Sequence, residues 1–180
     1  MSLEETDDLH FVGKAEDLVL SKRSVVTVEG RDVLLIHHQG EFYALDCYCY
    51  HAGTSLETGD IEELNSKLCI ICPKHKYKIS LSEGEGLYRA RDTSLTPPRV
   101  RWFSKGPKQR VHQLSLIQGA LYLRLSSRGR LESDYYQGER GKVEREKAER
   151  AEDTGAEEGR GWSWSRSNET EEGAGLELEP

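Results

Sequence analysis

Two short stretches of the sequence decide the fold: CYHAGTSL at residues 49–56 and CPKHKYKI at residues 72–79. Each stretch supplies one cysteine and one histidine, and the candidate ligands are Cys49, His51, Cys72 and His75. A thiolate is a soft anionic ligand and a neutral imidazole a borderline one, so two of each favour iron–sulfur or zinc over calcium or magnesium. The two stretches therefore indicate a metal centre held between two loops.

The distribution of ligand types between the loops carries further information. A zinc finger usually draws its cysteine pair from one element and its histidine pair from another. Here each loop offers one of each, so two facing loops can present a thiolate side and an imidazole side. This suits a two-iron cluster in which both thiolates bind one iron and both imidazoles the other. Gly53 can supply a turn with positive φ in the first loop.

Short apolar stretches separated by turn residues surround the two loops and predict β-strands. The predicted strands are 10–13, 25–28, 33–37, 42–45, 68–71, 77–81, 111–117 and 121–125. Turn residues at 38–41 and 118–120 predict two hairpins. Helical periodicity is weak, with at most one turn at 15–20. The pattern predicts an all-β domain, either a sandwich or a barrel.

The C-terminal third differs in composition. Of the formal net charge of −7, residues 127–180 carry −6, from 9 Lys or Arg and 15 Asp or Glu. Few apolar residues can be buried there, which predicts a charged, disordered tail. Trp162 and Trp164 are its only strong apolar features and a candidate docking motif. The domain is thus expected at 9–126, after a flexible N-terminus at 1–8.

The loops closely resemble those of the Rieske family, Cys-x-His-x-Gly-x-x-Leu and Cys-Pro-x-His. The resemblance covers roughly residues 9–126 and is strongest to the soluble Rieske-type ferredoxins of vertebrates, through GDIE at 59–62 and SKGPKQR at 104–110. It implies an antiparallel β sandwich or barrel with an inserted subdomain of two cluster-binding loops. It also implies one [2Fe–2S] cluster on Cys49, His51, Cys72 and His75, with His51 and His75 at the exposed edge.

Two departures from the respiratory members of the family imply a low reduction potential. Those proteins join their loops by a disulfide, but the matching positions here are Thr54 and Lys74. They also place Ser and Tyr hydroxyls near the cluster sulfurs, where this chain has Tyr77 and Ile79. Fewer hydrogen bonds to sulfur leave a reduced cluster less stabilised.

Other readings of the same residues stay open. Cys47 and Cys69 create two further cysteine pairs and allow a four-cysteine site, although a buried thiol is the ordinary role of a strand cysteine such as Cys69. A zinc-stabilised or metal-free interaction module is the alternative function. Lys105, Lys108 and Arg110 form a basic stretch that reads as an exposed loop before a strand.

The expected function is transfer of single electrons between a reductase and an acceptor, with no catalytic activity of the chain's own. An electron carrier of this kind can still be classed with oxidoreductases. The tail has no histidine for a mononuclear iron site, so an oxygenase role is limited to that of a separate ferredoxin. Nucleic acid is not expected as a partner. No apolar run approaches the ~18 residues of a membrane span, and no secretory signal is evident, so an intracellular, cytoplasmic location is expected.

Overall fold

The computed structural model describes residues 8–153. Strands and helices follow one another as β1 (His10–Lys14), α1 (Ala15–Ser21), β2 (Arg23–Val28), β3 (Arg31–His38), β4 (Glu41–Asp46), β5 (Ile61–Leu64), β6 (Lys67–Ile71), β7 (Lys78–Ser80), β8 (Glu85–Asp92), β9 (Arg99–Pro107), β10 (Val111–Ile117), β11 (Ala120–Arg124), a 3₁₀-helix (Glu132–Tyr136) and α2 (Gly138–Asp153). Neither α-helix of this described part is long and apolar enough to cross a bilayer.

The strands form two antiparallel sheets. The first has the order β1-β11-β10-β4-β3-β2 and curls into a nearly closed barrel; the second has the order β5-β6-β7-β8-β9. All five strands of the second sheet lie in sequence between β4 and β10 of the first. The two candidate ligand loops follow β4 and β6. The expected all-β fold with an inserted two-loop subdomain is therefore confirmed.

Strand β3 separates the two main hydrophobic cores. Val33 and Leu35 point into the core inside the barrel, whereas Leu34 and Ile36 point into a core that also contains Cys49 and Cys72. Successive side chains of a strand point to opposite faces, so an uninterrupted apolar run fills both cores. The barrel is thereby fixed to the layer beneath the ligand loops.

The strands expected from the sequence are confirmed, as are both hairpins. Gln39 and Gly40 have φ of 49° and 81°, and Gln118 and Gly119 have φ of 49° and 77°. These left-handed pairs fit the two-residue turns that match the twist of a hairpin. Strands β5, β8 and β9 were not predicted, because charged residues interrupt their apolar alternation.

The C-terminal segment, residues 132–153, differs from the expected disorder. It forms the 3₁₀-helix and α2, and Ser133 and Tyr136 are buried. The remainder of the expected tail, including Trp162 and Trp164, lies outside the described residues, as does most of the N-terminal stretch 1–8.

A buried carboxylate explains this order. Asp46, with no exposed surface, accepts hydrogen bonds from Arg31 (2.7 Å), Ser133 (2.6 Å) and His112 Nε2 (2.8 Å). The His112 Nδ1 accepts the N–H of Ser126, which leaves the proton on Nε2 facing Asp46. A buried charge needs such partners, so Asp46 draws the C-terminal segment onto the barrel.

A second carboxylate completes the attachment. Asp134 accepts two 2.7 Å hydrogen bonds from Arg110, and Arg31 lies 2.9 Å from it. Arg110 is only 3% exposed, so the interpretation of residues 105–110 as an exposed basic loop is wrong at this position. Burial disfavours the charged form of Asp134, but the hydrogen bonds from Arg110 and the Leu131 N–H outweigh it and lower its pKa to about 2.

Truncation of the core residue Leu34 tests the packing around β3. Leu34 is fully buried, so we expect Leu34→Ala to lower the free energy of unfolding by about 2–5 kcal/mol in urea. Leu20, which is 82% exposed, provides the matched control. Leu20→Ala should change the same quantity by less than about 0.5 kcal/mol, and equal losses would contradict the described packing.

Acid should release the stabilisation that Asp134 provides. A carboxyl with a lowered pKa stabilises the fold above its unfolded pKa, near 4, and this contribution is lost as the pH falls toward 2. At pH 6 we expect the free energy of unfolding in urea to be higher for wild type than for Asp134→Asn, by on the order of 2 kcal/mol. Most of this difference should be lost by pH 2.5. The exposed Asp17→Asn is the control; a constant margin for Asp134→Asn would contradict the attachment.

Candidate metal centre

The backbone bends each ligand loop into a tight turn. In the first loop, residues 47–56, the Cys49 N–H donates to the Thr54 carbonyl and the Gly53 N–H to the Cys49 carbonyl, both at 2.8 Å. In the second, residues 72–77, the Cys72 N–H donates to the Tyr77 carbonyl at 2.9 Å. These bonds leave the side chains of both loops pointing toward one another.

The two candidate thiol ligands are in contact. Cys49 and Cys72 are each 1% exposed, and their side chains share a hydrogen bond. Donating that bond and burial raise the pKa of Cys49. The same bond, together with the N–H groups of His75 and Lys74, outweighs burial and lowers the pKa of Cys72 to about 6. Backbone N–H groups therefore stabilise thiolate charge at this point, as a metal-binding sulfur requires.

The two candidate imidazole ligands lie beside each other. The rings of His51 and His75 have centroids 5.0 Å apart, and His51 stacks on Tyr77 at 4.0 Å. Burial, then the nearby charges of His75 and Lys105, lower the pKa of His51 to about 4, so its ring is neutral at pH 7. Its Nδ1 is buried without a hydrogen-bond partner in the described chain. Such an atom is costly unless something binds it, and a metal ion would do so.

The donor set therefore fits the group that the resemblance implies. The fold brings together all four predicted residues, Cys49, His51, Cys72 and His75, as a pair of thiols and a pair of imidazoles. Within residues 8–153, no group of three or more His, Cys, Asp or Glu side chains is arranged to hold a single metal ion. The four candidate ligands are instead arranged as one pair of thiols and one pair of imidazoles.

The other two cysteines have ordinary structural surroundings. Cys47 is buried, with its sulfur 3.6 Å from the Ser55 hydroxyl. Cys69 packs with Ile71 and Leu87 in a separate core, on the opposite face of β6 from Ile70. Burial raises the pKa of Cys69 to about 11. A four-cysteine site would need Cys69 to leave that core.

Gln109 is a supporting residue that the sequence analysis missed. This buried side chain accepts the Tyr50 N–H at 2.9 Å and donates to the carbonyls of Asp46 (2.9 Å) and Tyr48 (2.7 Å). It thus holds the backbone on both sides of Cys49. No local pattern reveals this role, because its partners lie about 60 positions away in the sequence.

The C-terminal segment covers one side of the first loop. The Tyr136 hydroxyl donates to the His51 carbonyl at 3.1 Å, and the Arg145 guanidinium lies 3.5 Å from the Tyr48 ring centroid. Gly53 has φ of 76°, and a β-carbon there would lie 2.5 Å from Tyr136. Gly53 therefore serves both the predicted turn and this close approach.

Helix α2 also contacts the second loop. Glu152, in its last turn, lies 3.2 Å from His75 Nε2 and 2.5 Å from Lys74 Nζ. His75 nevertheless keeps 35% of its side-chain surface exposed. His75 is thus accessible from solvent, whereas both candidate cysteine ligands are buried.

Removal of the Gln109 amide tests the support of the first loop. Gln109→Leu leaves three buried backbone groups without their partner, each costing about 1–3 kcal/mol. We expect a drop of several kcal/mol in unfolding free energy, with faster reaction of Cys47 and Cys49 with a thiol reagent in metal-free protein. Gln113→Leu, at an exposed site on β10, is the control and should leave both quantities unchanged.

Comparisons with known proteins place the chain in a family. A family model described as soluble Rieske-type ferredoxin matches residues 10–128. The human Rieske domain-containing protein is 41% identical over 126 residues, which are 69% of this chain and 80% of that protein. The ferredoxin component of the alkene monooxygenase system of Xanthobacter autotrophicus is 33% identical over 85 residues, 46% of this chain and 67% of that protein.

A solved structure shares the fold at low sequence identity. A chain from an oxygenase–ferredoxin complex of carbazole 1,9a-dioxygenase aligns with a TM-score of 0.50 and 16% identity, over 68% of this chain and 29% of that chain. The family match spans both ligand loops and the strands that carry them. The chain belongs to the soluble Rieske-type ferredoxin family.

Proposed function

We propose that this chain binds one [2Fe–2S] cluster through Cys49, His51, Cys72 and His75 and carries single electrons between redox proteins. The binding unit is the domain at 9–126, and the chain itself transforms no substrate. The observation that carries the proposal is the buried, unpartnered Nδ1 of a neutral His51 beside a pair of buried thiols.

Each ligand residue has a defined task in this proposal. The cluster would supply the one-electron chemistry. Cys49 and Cys72 bind as thiolates, and the N–H groups directed at their sulfurs stabilise the negative charge. Burial keeps His51 in the neutral form that a metal ligand requires. Gln109, in turn, fixes the backbone of the first loop.

The surroundings of the site support a low reduction potential. Ile79 is fully buried and supplies no hydroxyl, and the four cysteines are free, so no disulfide joins the loops. Glu152 places a carboxylate 3.2 Å from His75. A nearby negative charge opposes the addition of an electron. We place the potential toward the lower end of the Rieske range of about −150 to +300 mV.

The partners follow from the chemistry of the relatives. Two curated relatives are ferredoxin components of an alkene monooxygenase system and of a 3-phenylpropionate/cinnamic acid dioxygenase. We propose a reductase as the electron donor and an oxygenase or another redox protein as the acceptor, within the cytoplasm. Contact through the exposed edge at His75 would shorten the distance that an electron travels between the cluster and either partner.

Loss of any one ligand should remove the cluster. We expect purified wild type to be red-brown, with about two irons and two sulfides per chain and a rhombic EPR signal on reduction. Cys49→Ser and His51→Ala should lose the colour and the iron, whereas Cys47→Ser and Cys69→Ser, the matched controls, should keep them. Colourless wild type with stoichiometric zinc, or without metal, would instead support an interaction module.

Neutralising Glu152 should raise the potential of the centre. Glu152→Gln removes one negative charge beside His75, and we expect an upward shift of roughly 20–60 mV in a spectroscopic redox titration at low salt. Glu149→Gln, on the same helix but without an ion pair to His75, is the control. A shift of equal size in both variants would indicate a general charge effect and contradict the role of this contact.

A further inference from the structure

A strip of alternating cations and aromatic rings extends from the second ligand loop along β8 and β9. We call Tyr77, Lys105, Tyr88, Phe103 and Arg101 the basic strip. Lys105 Nζ lies 5.5 Å from the Tyr77 ring and 5.4 Å from the Tyr88 ring. Tyr88 stacks on Phe103 at 5.5 Å, and Arg101 lies 5.8 Å from the Phe103 ring. Each member thus contacts the next.

The basic strip is accessible and differs in charge from the chain as a whole. Its aromatic rings are half-buried, and Arg101 keeps 53% of its side-chain surface exposed although it pairs with Asp92. Strands β8 and β9 together carry five Arg or Lys and two Asp or Glu, so this surface is positive on a chain whose net charge is −7. Half-buried rings beside cations suit an occupant that is both aromatic and acidic.

Residues 154–180 have that composition. They contain seven Glu, two Arg and no Lys, and they include Trp162 and Trp164. They continue directly from α2, whose Glu152 lies 3.2 Å from His75. His75 in turn lies 5.0 Å from His51, whose ring stacks on Tyr77. The C-terminal end of α2, which residue 154 follows in the sequence, therefore lies near one end of the basic strip.

The length of the chain is sufficient to reach the whole strip. Trp162 is eight positions after Thr154, so an extended chain carries it at most about 27 Å, and residues 165–180 extend the reach further. The strip consists of contacts of 5.4–5.8 Å and is roughly 20 Å long. A segment tethered so closely has a local concentration of roughly millimolar order, which favours it over a free partner of similar chemistry.

We propose that residues 154–180 dock on the basic strip of their own chain, with Trp162 and Trp164 against its rings and the glutamates against Lys105 and Arg101. The contact goes beyond the proposed electron transfer and does not depend on whether a cluster is bound. An acidic partner protein and a second copy of the chain are the competing occupants. Isotope-labelled cross-linking distinguishes these two occupants from the chain's own residues 154–180.

Zero-length cross-linking of the full-length chain tests the proposal. A carbodiimide joins carboxylates to amines in direct contact, so we expect Lys105 to link to glutamates of residues 167–180, as read by mass spectrometry after trypsin. In an equal mixture of ¹⁴N- and ¹⁵N-labelled chains, each linked pair should carry a single label. Lys14, exposed on the first sheet, should give no such link.

Substitutions in the tail provide the matched comparison without disturbing the described fold. Trp162→Ser combined with Trp164→Ser should lower the yield of Lys105 links at least about fivefold, as should ~0.5 M salt. Ser163→Ala, which keeps both rings, should leave the yield unchanged. Links of mixed label would identify a second copy and overturn the proposal. Equal yields at Lys105 and Lys14, or no links at Lys105, would also overturn the proposal. An acidic partner protein would then be the remaining candidate to occupy the strip.

Discussion

The hydrogen bonds of one buried amide, that of Gln109, join the parts on which the candidate site depends. Gln109 lies between β9 of the second sheet and β10 of the barrel, and its side chain binds the backbone at Asp46, Tyr48 and Tyr50. Its own backbone packs so tightly on Gly84 that a β-carbon there would lie 1.8 Å from the Gln109 carbonyl oxygen. Gln109 thus connects the backbone of the first ligand loop to the junction between the two sheets.

Hydrogen bonds and ion pairs of buried carboxylates hold the C-terminal segment in place. Its composition offers few apolar residues, and an estimate based on apolar burial alone predicts that it stays unfolded. Instead, Ser133 of the segment donates to the buried Asp46. Asp134 of the segment pairs with Arg31 and Arg110. Paired buried charges of this kind fix one geometry, since removing a single partner leaves a costly unpaired charge.

Local patterns in the sequence were sufficient to name the candidate ligands and to predict most strands. Cys49, His51, Cys72 and His75 lie in two motifs of eight residues, and the strands with regular apolar alternation follow the period of two. Strands β8 and β9 escaped prediction because cation–aromatic pairs such as Arg89 with Trp102 join them across the hairpin. Such pairs are visible only once the two strands are aligned.

The same limit explains the other omissions. Gln109, Arg110 and Tyr136 each act on residues far away in the sequence, and no spacing rule connects them to their partners. The prediction of disorder considered composition within a window, whereas the energy that orders residues 132–153 comes from the barrel. Prediction from one sequence therefore named the candidate ligands but not the residues that support them.

The absence of a side chain at Gly53 has a consequence for local opening of the protein. Because Tyr136 and Arg145 fill the space beside Gly53, the first loop cannot swing outward without displacing them. The free energy of opening the loop must then include the cost of releasing the 3₁₀-helix and α2. Their release also breaks the hydrogen bond between Ser133 and Asp46. The loop and the C-terminal segment form one cooperative unit of the kind that native-state hydrogen exchange resolves. Access to the buried cysteines therefore depends on the contacts of Asp46 with the C-terminal segment as well as on the loop itself.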